Sequence, residues 1–360
     1  MGSMIWAESG KRGGPKGSDW PSGSSISVRA KSEMPSATEL AEPPVAAGSR
    51  ILRLLAADPS AAIVCALADG PLRSARLNEG TPAYSPRTLY RRLGELERLG
   101  VVERQRLAVT PPAVAYELTA PAGRELLSII EGTVAGWLRR HAGEPVQAQA
   151  SASLALLAEA WETGIFRGLS CVERSLTELG EATELTHHQV GRRAKRLASA
   201  GILDRRVGSD HITRYLLSES GRLGAAAIAA AVRWEQDYRP QLAARQLSLA
   251  DGTALVASAL SLPRLASHAG QVFGLTVQAQ GDGDGRAPRF SALWAEVDEA
   301  GEIACRSGPA PEPDGWAHGS VDAWLAALLD GKRGTLQTGG DEALVDAHLT
   351  RLHSRLRRSV

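Results

Sequence analysis

The sequence is 360 residues long, 43% hydrophobic and carries a formal net charge of +1. This length predicts two or three domains, and the near neutrality does not favour a protein that coats nucleic acid without sequence preference. The three cysteines are far apart, which argues against a disulfide framework, and no apolar run approaches the roughly 20 residues of a membrane span. We therefore expect a cytoplasmic protein without membrane association.

Residues 1–48 are rich in Gly, Ser, Pro and Lys and lack the apolar core of a signal peptide. Their apolar content is too low to offset the entropy of ordering, so we predict a disordered tail. A helical pattern begins near Ser49 and ends at the turn signal Asp69-Gly70-Pro71. A second short helix precedes the turn signal at 78–82.

An arginine-rich helix is predicted to begin at Ser85-Pro86, because serine is a favoured N-cap and proline a favoured first helical residue. Leu89, Leu93 and Leu96 recur at helical spacing on one face, and Gly100 ends the helix. Two strand-like runs, at 101–109 and 114–118, predict a hairpin with the prolines 111 and 112 at its tip. A helix over 121–140 closes this domain.

The same pattern recurs about 100 residues later. LYRRLGELERLGVVER from Leu89 corresponds to VGRRAKRLASAGILDR from Val190, and Tyr116 corresponds to Tyr215. A repeat of this length indicates a duplicated domain, since solenoid units are much shorter. After a polar link at 142–151, the second copy is predicted to have helices over 154–167, 175–179, 186–200 and 221–238, and a hairpin that turns at 207–210.

The composition changes from about Asp251, where arginine becomes rarer and acidic residues more frequent. Alternating patterns predict strands over 274–280, 290–297 and 302–308, and apolar periodicity predicts helices over 320–329 and 341–356. This segment is therefore expected to be an α+β domain with helices on one side of a sheet.

The two arginine-rich helices have the residue pattern of helices that bind the DNA major groove. Such a helix packs one face on its domain and presents hydrogen-bond donors on the other. Arginine can pair with guanine and Gln189 with adenine, whereas hairpin arginines are suited to phosphates. The predicted DNA-contacting residues are Arg87, Thr88, Tyr90, Arg91, Arg92, Arg104 and Arg106 in the first copy, and His187, His188, Gln189, Arg192, Arg193, Arg205, Arg206, His211 and Arg214 in the second.

An alternative interpretation is that these arginines form ordinary solvated faces, supported by neighbouring glutamates such as Glu95 and Glu97. The complete order of cap, arginine-rich helix, glycine, basic hairpin, tyrosine and closing helix occurs twice, however. This repetition favours nucleic acid, specifically double-stranded DNA, as the partner.

Both copies resemble winged-helix regulators of the HxlR/MarR type, in the stretches RTLYRRLGELERLGVVER with VAYELTAPAGREL and HQVGRRAKRLASAGILDR with TRYLLSESGRL. The second copy departs from the pattern where Leu217-Ser218 replaces Leu-Thr. The resemblance implies a bacterial transcriptional regulator that acts as a dimer. A tandem chain is then expected to be a monomeric pseudo-dimer or a homodimer that reads an asymmetric or imperfect operator.

The segment after residue 271 resembles a sterol-carrier-protein-type domain in its Gly319-Ser320 turn into an apolar helix and in Gly340-Asp341 before the last helix. This resemblance implies a site for a hydrophobic small-molecule effector. The candidate ligand-binding residues are the aromatic residues Phe273, Phe290, Trp294, Trp316 and Trp324. The alternative is that these side chains are ordinary core.

The predicted fold class is α+β, mainly helical, with two tandem winged-helix domains followed by a small sheet-plus-helices domain. The predicted domains cover 1–48 (tail), 49–145, 149–245 and 250–360. We expect no enzyme activity, cofactor or metal site: adjacent His187 and His188 diverge on a helix, and the loop GDGDG (281–285) lacks the ligands of a calcium loop.

Two other functions remain open at this stage. One is a ligand-sequestering or interaction protein that uses its winged helices only as a scaffold. The other is a winged-helix DNA glycosylase, because Gln278 and Gln280 share a strand face and resemble the paired glutamines of such enzymes. A half-exposed strand face also explains these two glutamines.

Overall fold

We describe the protein from a computed structural model, which covers residues 49–80, 84–107, 113–138, 146–239, 247–279 and 289–357. These ranges form an N-terminal module (49–138), a central module (146–239) and a C-terminal module (247–357). The predicted tail, the tip of the first hairpin and the GDGDG loop lie outside the described residues, as do Gln280 and residues 142–145 of the predicted polar link.

The N-terminal module combines five helices with a small antiparallel sheet. Its elements are α1 (Arg50–Ala56), α2 (Ser60–Ala66), β1 (Leu72–Arg73), α3 (Ser74–Gly80), α4 (Pro86–Arg98), β2 (Val102–Leu107), β3 (Ala113–Leu118) and α5 (Ala122–Leu138), with strand order β1-β3-β2. The single helix predicted from Ser49 is instead two helices. It breaks before Pro59, because a proline disfavours helical backbone in the residue before it.

The predicted arginine-rich helix is confirmed as α4. The Ser85 hydroxyl accepts a hydrogen bond from the Thr88 backbone N–H, and Pro86 occupies the first turn. Leu89, Leu93 and Leu96 are buried on one face.

The central module has the same element order as the N-terminal module. Its elements are α6 (Val146–Glu162), α7 (Ile165–Gly168), β4 (Arg174–Ser175), α8 (Leu176–Thr183), α9 (His187–Ser199), β5 (Leu203–Val207), β6 (Thr213–Leu217) and α10 (Glu219–Tyr238), with strand order β4-β6-β5. α6 begins at Val146, so the second half of the predicted link is helical.

Corresponding glycines end α4 and α9 in the same way. Gly100 has a φ of +62° and Gly201 a φ of +72°, the left-handed region that glycine adopts without strain. The next residue then bonds back to the helix, Val101 N to Leu96 O in one module and Ile202 N to Leu197 O in the other, both at 2.9 Å. Both hairpins therefore leave their helix in the same direction.

The Leu217-Ser218 departure from the family pattern preserves the local bonding. The Thr119 hydroxyl donates to Gly100 O at 2.6 Å, and the Ser218 hydroxyl donates to Gly201 O at 2.5 Å. The extra methyl group of threonine is dispensable here, because the hydroxyl makes the bond.

The N-terminal and central modules pack through equivalent helices, α1 against α6 and α5 against α10. Glu235 of α10 accepts hydrogen bonds from the Ser49 hydroxyl (2.7 Å) and the Ile51 backbone N–H (2.6 Å), so it satisfies the first turn of α1. The Trp234 indole N–H donates to Ala122 O at 2.8 Å. Buried hydrogen bonds therefore add to the apolar contacts between the two modules.

The C-terminal module is a five-stranded sheet with helices on one side. Its elements are α11 (Leu249–Leu260), β7 (Val272–Gln278), β8 (Phe290–Val297), β9 (Ile303–Ser307), β10 (Gly315–Ser320), α12 (Val321–Asp330), β11 (Gln337–Gly340) and α13 (Glu342–Arg357). The strand order is β11-β10-β7-β8-β9, with only the β10–β7 pair parallel. α11 joins this module to the central one, where Arg167 forms a 2.6 Å ion pair with the buried Asp251.

Candidate nucleic-acid interface

The outward face of α4 carries three exposed cationic side chains along its length. Arg87, Arg91 and Arg98 are exposed, and the Tyr90 ring is 49% exposed. Arg91 reaches Glu95 only at 3.4 Å, a surface pair that constrains it little. Arg98 was missed by the sequence analysis, although its helical spacing from Arg91 places it on the same side.

The corresponding face of α9 differs in chemistry. His187, His188 and Arg192 are exposed, and Lys195 continues the face one turn further. Lys195 was also missed, and its spacing of three residues from Arg192 would have identified it. Arg192 occupies the position of Arg91, whereas His188 occupies that of Arg87.

Gln189 has a structural partner that the sequence analysis did not assign. Its side-chain oxygen accepts from the Thr186 N–H at 3.0 Å, and the Thr186 hydroxyl accepts from the Gln189 N–H at 3.4 Å. This is a capping box, for which Thr-x-x-Gln before an apolar face is the sequence signal. The exposed amide nitrogen remains the part of Gln189 suited to contact a base.

Arg92 and Arg193 occupy equivalent positions and differ from the outward orientation expected of them. The Arg92 side chain is 17% exposed, pairs with Glu95 at 2.5 Å and donates to Asp58 O at 3.2 Å. Arg193 is 23% exposed and lies 3.6 Å from Glu159. Both guanidinium groups therefore bind their own modules, which leaves them poorly placed to reach DNA.

The hairpins present the remaining predicted contacts. Arg104, Arg106, Arg205 and Arg206 are exposed, and Thr88 is half-buried beside its helix cap. His211 is exposed at the turn of the second hairpin with a φ of +60°.

Arg214 is held within the second hairpin. It forms a 2.5 Å ion pair with Asp210, which lowers the pKa of that carboxyl to about 2. Asp210 also accepts from the Ile212 N–H at 3.0 Å, so this pair shapes the turn.

The five candidate ligand-binding aromatic residues lie on opposite sides of the C-terminal sheet. Phe273 and Trp324 are buried on the helix side. The Phe273 ring stacks on the His348 ring with 4.6 Å between the ring centroids, and the Trp324 indole N–H donates to Thr276 O at 3.0 Å. Trp294 and Trp316 belong to the opposite face and are half-buried, and Phe290 is 47% exposed. The five residues therefore do not line one pocket, because the sheet separates them.

His348 is a fully buried titratable group in this module. Neither ring nitrogen has a hydrogen-bond partner among the described residues. Burial lowers its pKa to about 3, with a smaller contribution from nearby His268. The imidazole is therefore neutral at physiological pH and behaves as part of the core.

The described residues contain no cluster of three or more His, Cys, Asp or Glu side chains that could hold a metal ion. None of the helices in the described ranges combines the length and apolar character that a bilayer crossing requires.

The N-terminal module matches a known protein family. Residues 58–144 match the family described as HxlR-like helix-turn-helix. This module, with its capped α4 and its hairpin, is therefore similar to HxlR-like helix-turn-helix domains.

Particular relatives match the same part of the chain. An uncharacterised HTH-type transcriptional regulator of Methanothermobacter thermautotrophicus is 36% identical over 69 residues, 19% of this chain and 52% of the relative. The HTH-type transcriptional regulator YodB of Bacillus subtilis is 46% identical over 57 residues, 16% of this chain and 51% of the relative. The chain spans about half the length of these curated relatives.

Solved structures of YodB from B. subtilis also align with the chain. The reduced form is 34% identical, covers 26% of this chain and 92% of that one, and has a TM-score of 0.24. The diamide-treated form is 36% identical, covers 26% and 91%, and has a TM-score of 0.23.

Proposed function

We propose that the protein is a DNA-binding transcriptional regulator in which the N-terminal and central modules are duplicated winged helices that act as a fused dimer. The observation that carries the proposal is the presence of two helices, α4 and α9, with exposed basic faces, in modules joined through equivalent helix pairs. We call α4 and α9 the reading helices. They would enter successive major-groove faces about 34–36 Å apart.

The reading helices carry different residues at corresponding positions, which supports an asymmetric or imperfect operator. Arg87 of α4 has His188 as its counterpart, and Thr88 has Gln189. Arginine pairs with guanine and glutamine with adenine, so each half-site would have its own sequence. A perfect palindrome would satisfy only one of the two helices.

Selection of genomic DNA fragments by the full chain, followed by anisotropy titration over a range of salt concentrations, tests DNA binding. Several arginine–phosphate contacts predict that the logarithm of the association constant falls steeply with the logarithm of the salt concentration. The slope should be roughly −0.9 for each phosphate neutralised. A flat salt dependence, or no fragment enriched over random DNA, would contradict the proposal. The second result, combined with tight capture of a hydrophobic compound, would favour the scaffold alternative.

We also propose that a hydrophobic small molecule binds the outer sheet face of the C-terminal module. Trp316 and Trp294 lie in one row across the sheet with Gly274 between them, and Phe290 lies 5.6 Å from the His318 ring on the same face. Pro313 and Ala310 cover Gly274, and the partly exposed aromatic rings on either side of it offer an apolar platform. Such a ligand would regulate DNA binding only if it bound the competent and incompetent arrangements with different affinity.

An environment-sensitive anionic naphthalene dye tests this platform. Its fluorescence should rise on binding the full chain, and Trp294→Ala or Trp316→Ala should reduce that rise. Tyr90→Ala is the control, because Tyr90 is an exposed aromatic ring on α4, outside the C-terminal module. Equal binding by all three variants would show that the platform is not the site.

A further inference from the structure

A cleft of about 1280 Å³ separates the central module from the C-terminal module. The central module contributes Cys171, Asp204 and Arg222 to its wall, and the C-terminal module contributes Cys305 and Arg351. The cleft lies outside the 58–144 match and contains none of the five candidate aromatic residues. It is therefore a separate feature of this chain.

Two cysteines face each other across this boundary. The Cys305 thiol donates to the Cys171 sulfur at an Sγ–Sγ distance of 3.6 Å, and both cysteines are free thiols. Cys305 is buried in the edge strand β9, whereas Cys171 is half-buried in the irregular segment between α7 and β4. A disulfide needs about 2.05 Å between the sulfurs, so an approach of about 1.5 Å would suffice. The irregular backbone around Cys171 can move more easily than a strand interior.

The surroundings favour a thiolate on Cys171. The pKa of Cys171 is lowered to about 7, chiefly by the hydrogen bond from Cys305 and with smaller contributions from the hydroxyls of Ser307 and Ser170 and the charge of Arg222, while burial opposes this shift. The pKa of Cys305 is raised instead, because its thiol donates the hydrogen bond to Cys171 and is buried. The pair therefore consists of one nucleophilic sulfur and one protonated neighbour.

Arg222 adds a positive charge at the same place. Its Nε donates to Leu217 O at 3.2 Å, while its buried Nη1 has no hydrogen-bond partner within the described part of the chain. An unpaired buried guanidinium nitrogen is costly unless a negative group approaches it. The Cys171 thiolate is such a group, and so is an oxyanion released from a molecule that this thiolate attacks.

We propose that Cys171 is a modification site for small hydroperoxides, with Cys305 as the resolving thiol. The Cys171 thiolate attacks one oxygen of the hydroperoxide, the O–O bond breaks, and an alkoxide leaves and takes up a proton to become the alcohol. Cys171 is then a sulfenic acid. The Cys305 sulfur attacks it, the S–O bond breaks and water leaves, so that two thiols are oxidised while one hydroperoxide is reduced by two electrons.

The resulting disulfide would join residues 134 positions apart in sequence and tie the second reading helix's module to the C-terminal module. The chemistry itself requires neither DNA nor an effector, so its test does not depend on the proposed regulatory function.

Reduced full-length protein treated with one equivalent of hydrogen peroxide tests the proposal. Peptide mapping without reductant should show a Cys171–Cys305 cross-link. Cys305→Ser should stop at a sulfenic acid on Cys171 that a 1,3-dione traps, and Cys171→Ser should consume peroxide at least about tenfold more slowly. Cys65→Ser is the matched control and should behave like wild type, because burial raises the pKa of Cys65 to about 11.

The pH dependence gives an independent readout. The wild-type rate should rise as the pH passes about 7, and Arg222→Gln should move this rise to higher pH, since it removes a charge that favours the thiolate. Absence of the cross-linked peptide, equal rates for wild type and Cys171→Ser, or a slower rate for Cys65→Ser would each overturn the proposal.

Discussion

Single residues show how two modules with one scaffold acquire different surfaces. Arg91 and Arg192 occupy the same position and both are exposed, while Arg92 and Arg193, one position later, both bind their own module. The inward pair orients the helix, because each guanidinium approaches a glutamate of its own module. The outward pair remains available to a partner.

Replacing Arg91 or Arg192 with alanine should weaken operator binding by roughly 5- to 150-fold each, since a good arginine–guanine pair contributes about 1–3 kcal/mol. Each change should act at a different half-site, which footprinting on operators with one altered half would show. Arg264→Ala is the control, because Arg264 is 75% exposed on the C-terminal module and the charge change is the same. An unchanged affinity for either reading-helix variant would remove that residue from the interface.

His348 makes the stability of the C-terminal module depend on pH. The unfolded chain takes up a proton on this histidine below about pH 6.5, whereas the buried ring, with its pKa lowered to about 3, does not. Stability is therefore fully present above pH 6.5 and decreases as the pH falls towards 3. His348→Leu should remove about 2 kcal/mol of this loss between pH 6.5 and pH 5, measured as a smaller shift of the urea midpoint. An identical pH profile for the variant would show that His348 does not titrate on unfolding.

At the scale of elements, the sequence predicts those whose ends carry local signals. α4 and α9 follow from Ser85-Pro86, Thr186 and the two terminal glycines, and β8 follows from its alternating pattern. β10 and β11 were not predicted, because their glycines suit a turn as well as a strand and only strand pairing specifies them, β10 with β7 and β11 with β10.

The candidate interface was predictable only in part for a similar reason. Helical spacing indicates which side chains leave the apolar face, and this applies to Arg87, Arg91 and Arg192. It does not indicate a partner from another element, such as Asp58 for Arg92 or Glu159 for Arg193. The separation of the five aromatic residues by the sheet likewise depends on strand register.

The capping box of α9 allows the structural and binding roles of Gln189 to be separated. Gln189→Glu should preserve the bond to the Thr186 N–H and add a favourable negative charge at the helix N-terminus, so thermal stability should be kept or raised. The same charge should repel phosphates and weaken DNA binding. Thr186→Ala is the complementary control and should cost about 1 kcal/mol of stability. Unchanged DNA affinity in Gln189→Glu would place this residue away from the DNA.

At the level of the whole molecule, the N-terminal and central modules pack against each other through several helices. Equivalent helices pair across the boundary, and the carboxylate of Glu235 satisfies the first turn of α1. The relative position of the two reading helices is therefore set inside one chain. A signal from the C-terminal module would enter through its contacts with the central module.

Glu235→Ala should lower the free energy of unfolding by about 2–4 kcal/mol, because the Ser49 hydroxyl and the Ile51 N–H would lose a charged acceptor. Glu235→Gln should lose less, since it retains one acceptor oxygen. Asp237→Ala on the same helix should cost under about 0.5 kcal/mol, because Asp237 is exposed and lies 3.7 Å from Arg233. Thermal unfolding of the three variants checks this order, and equal midpoints for Glu235→Ala and Asp237→Ala would contradict it.

In the proposed fused dimer, one chain presents two different reading helices to one DNA site. Titration of a labelled operator duplex, held far above its dissociation constant, measures the number of chains bound per duplex directly. The fused-dimer arrangement predicts saturation at one chain per duplex with both half-sites protected. Saturation at two chains per duplex, or protection of a single half-site, would contradict it.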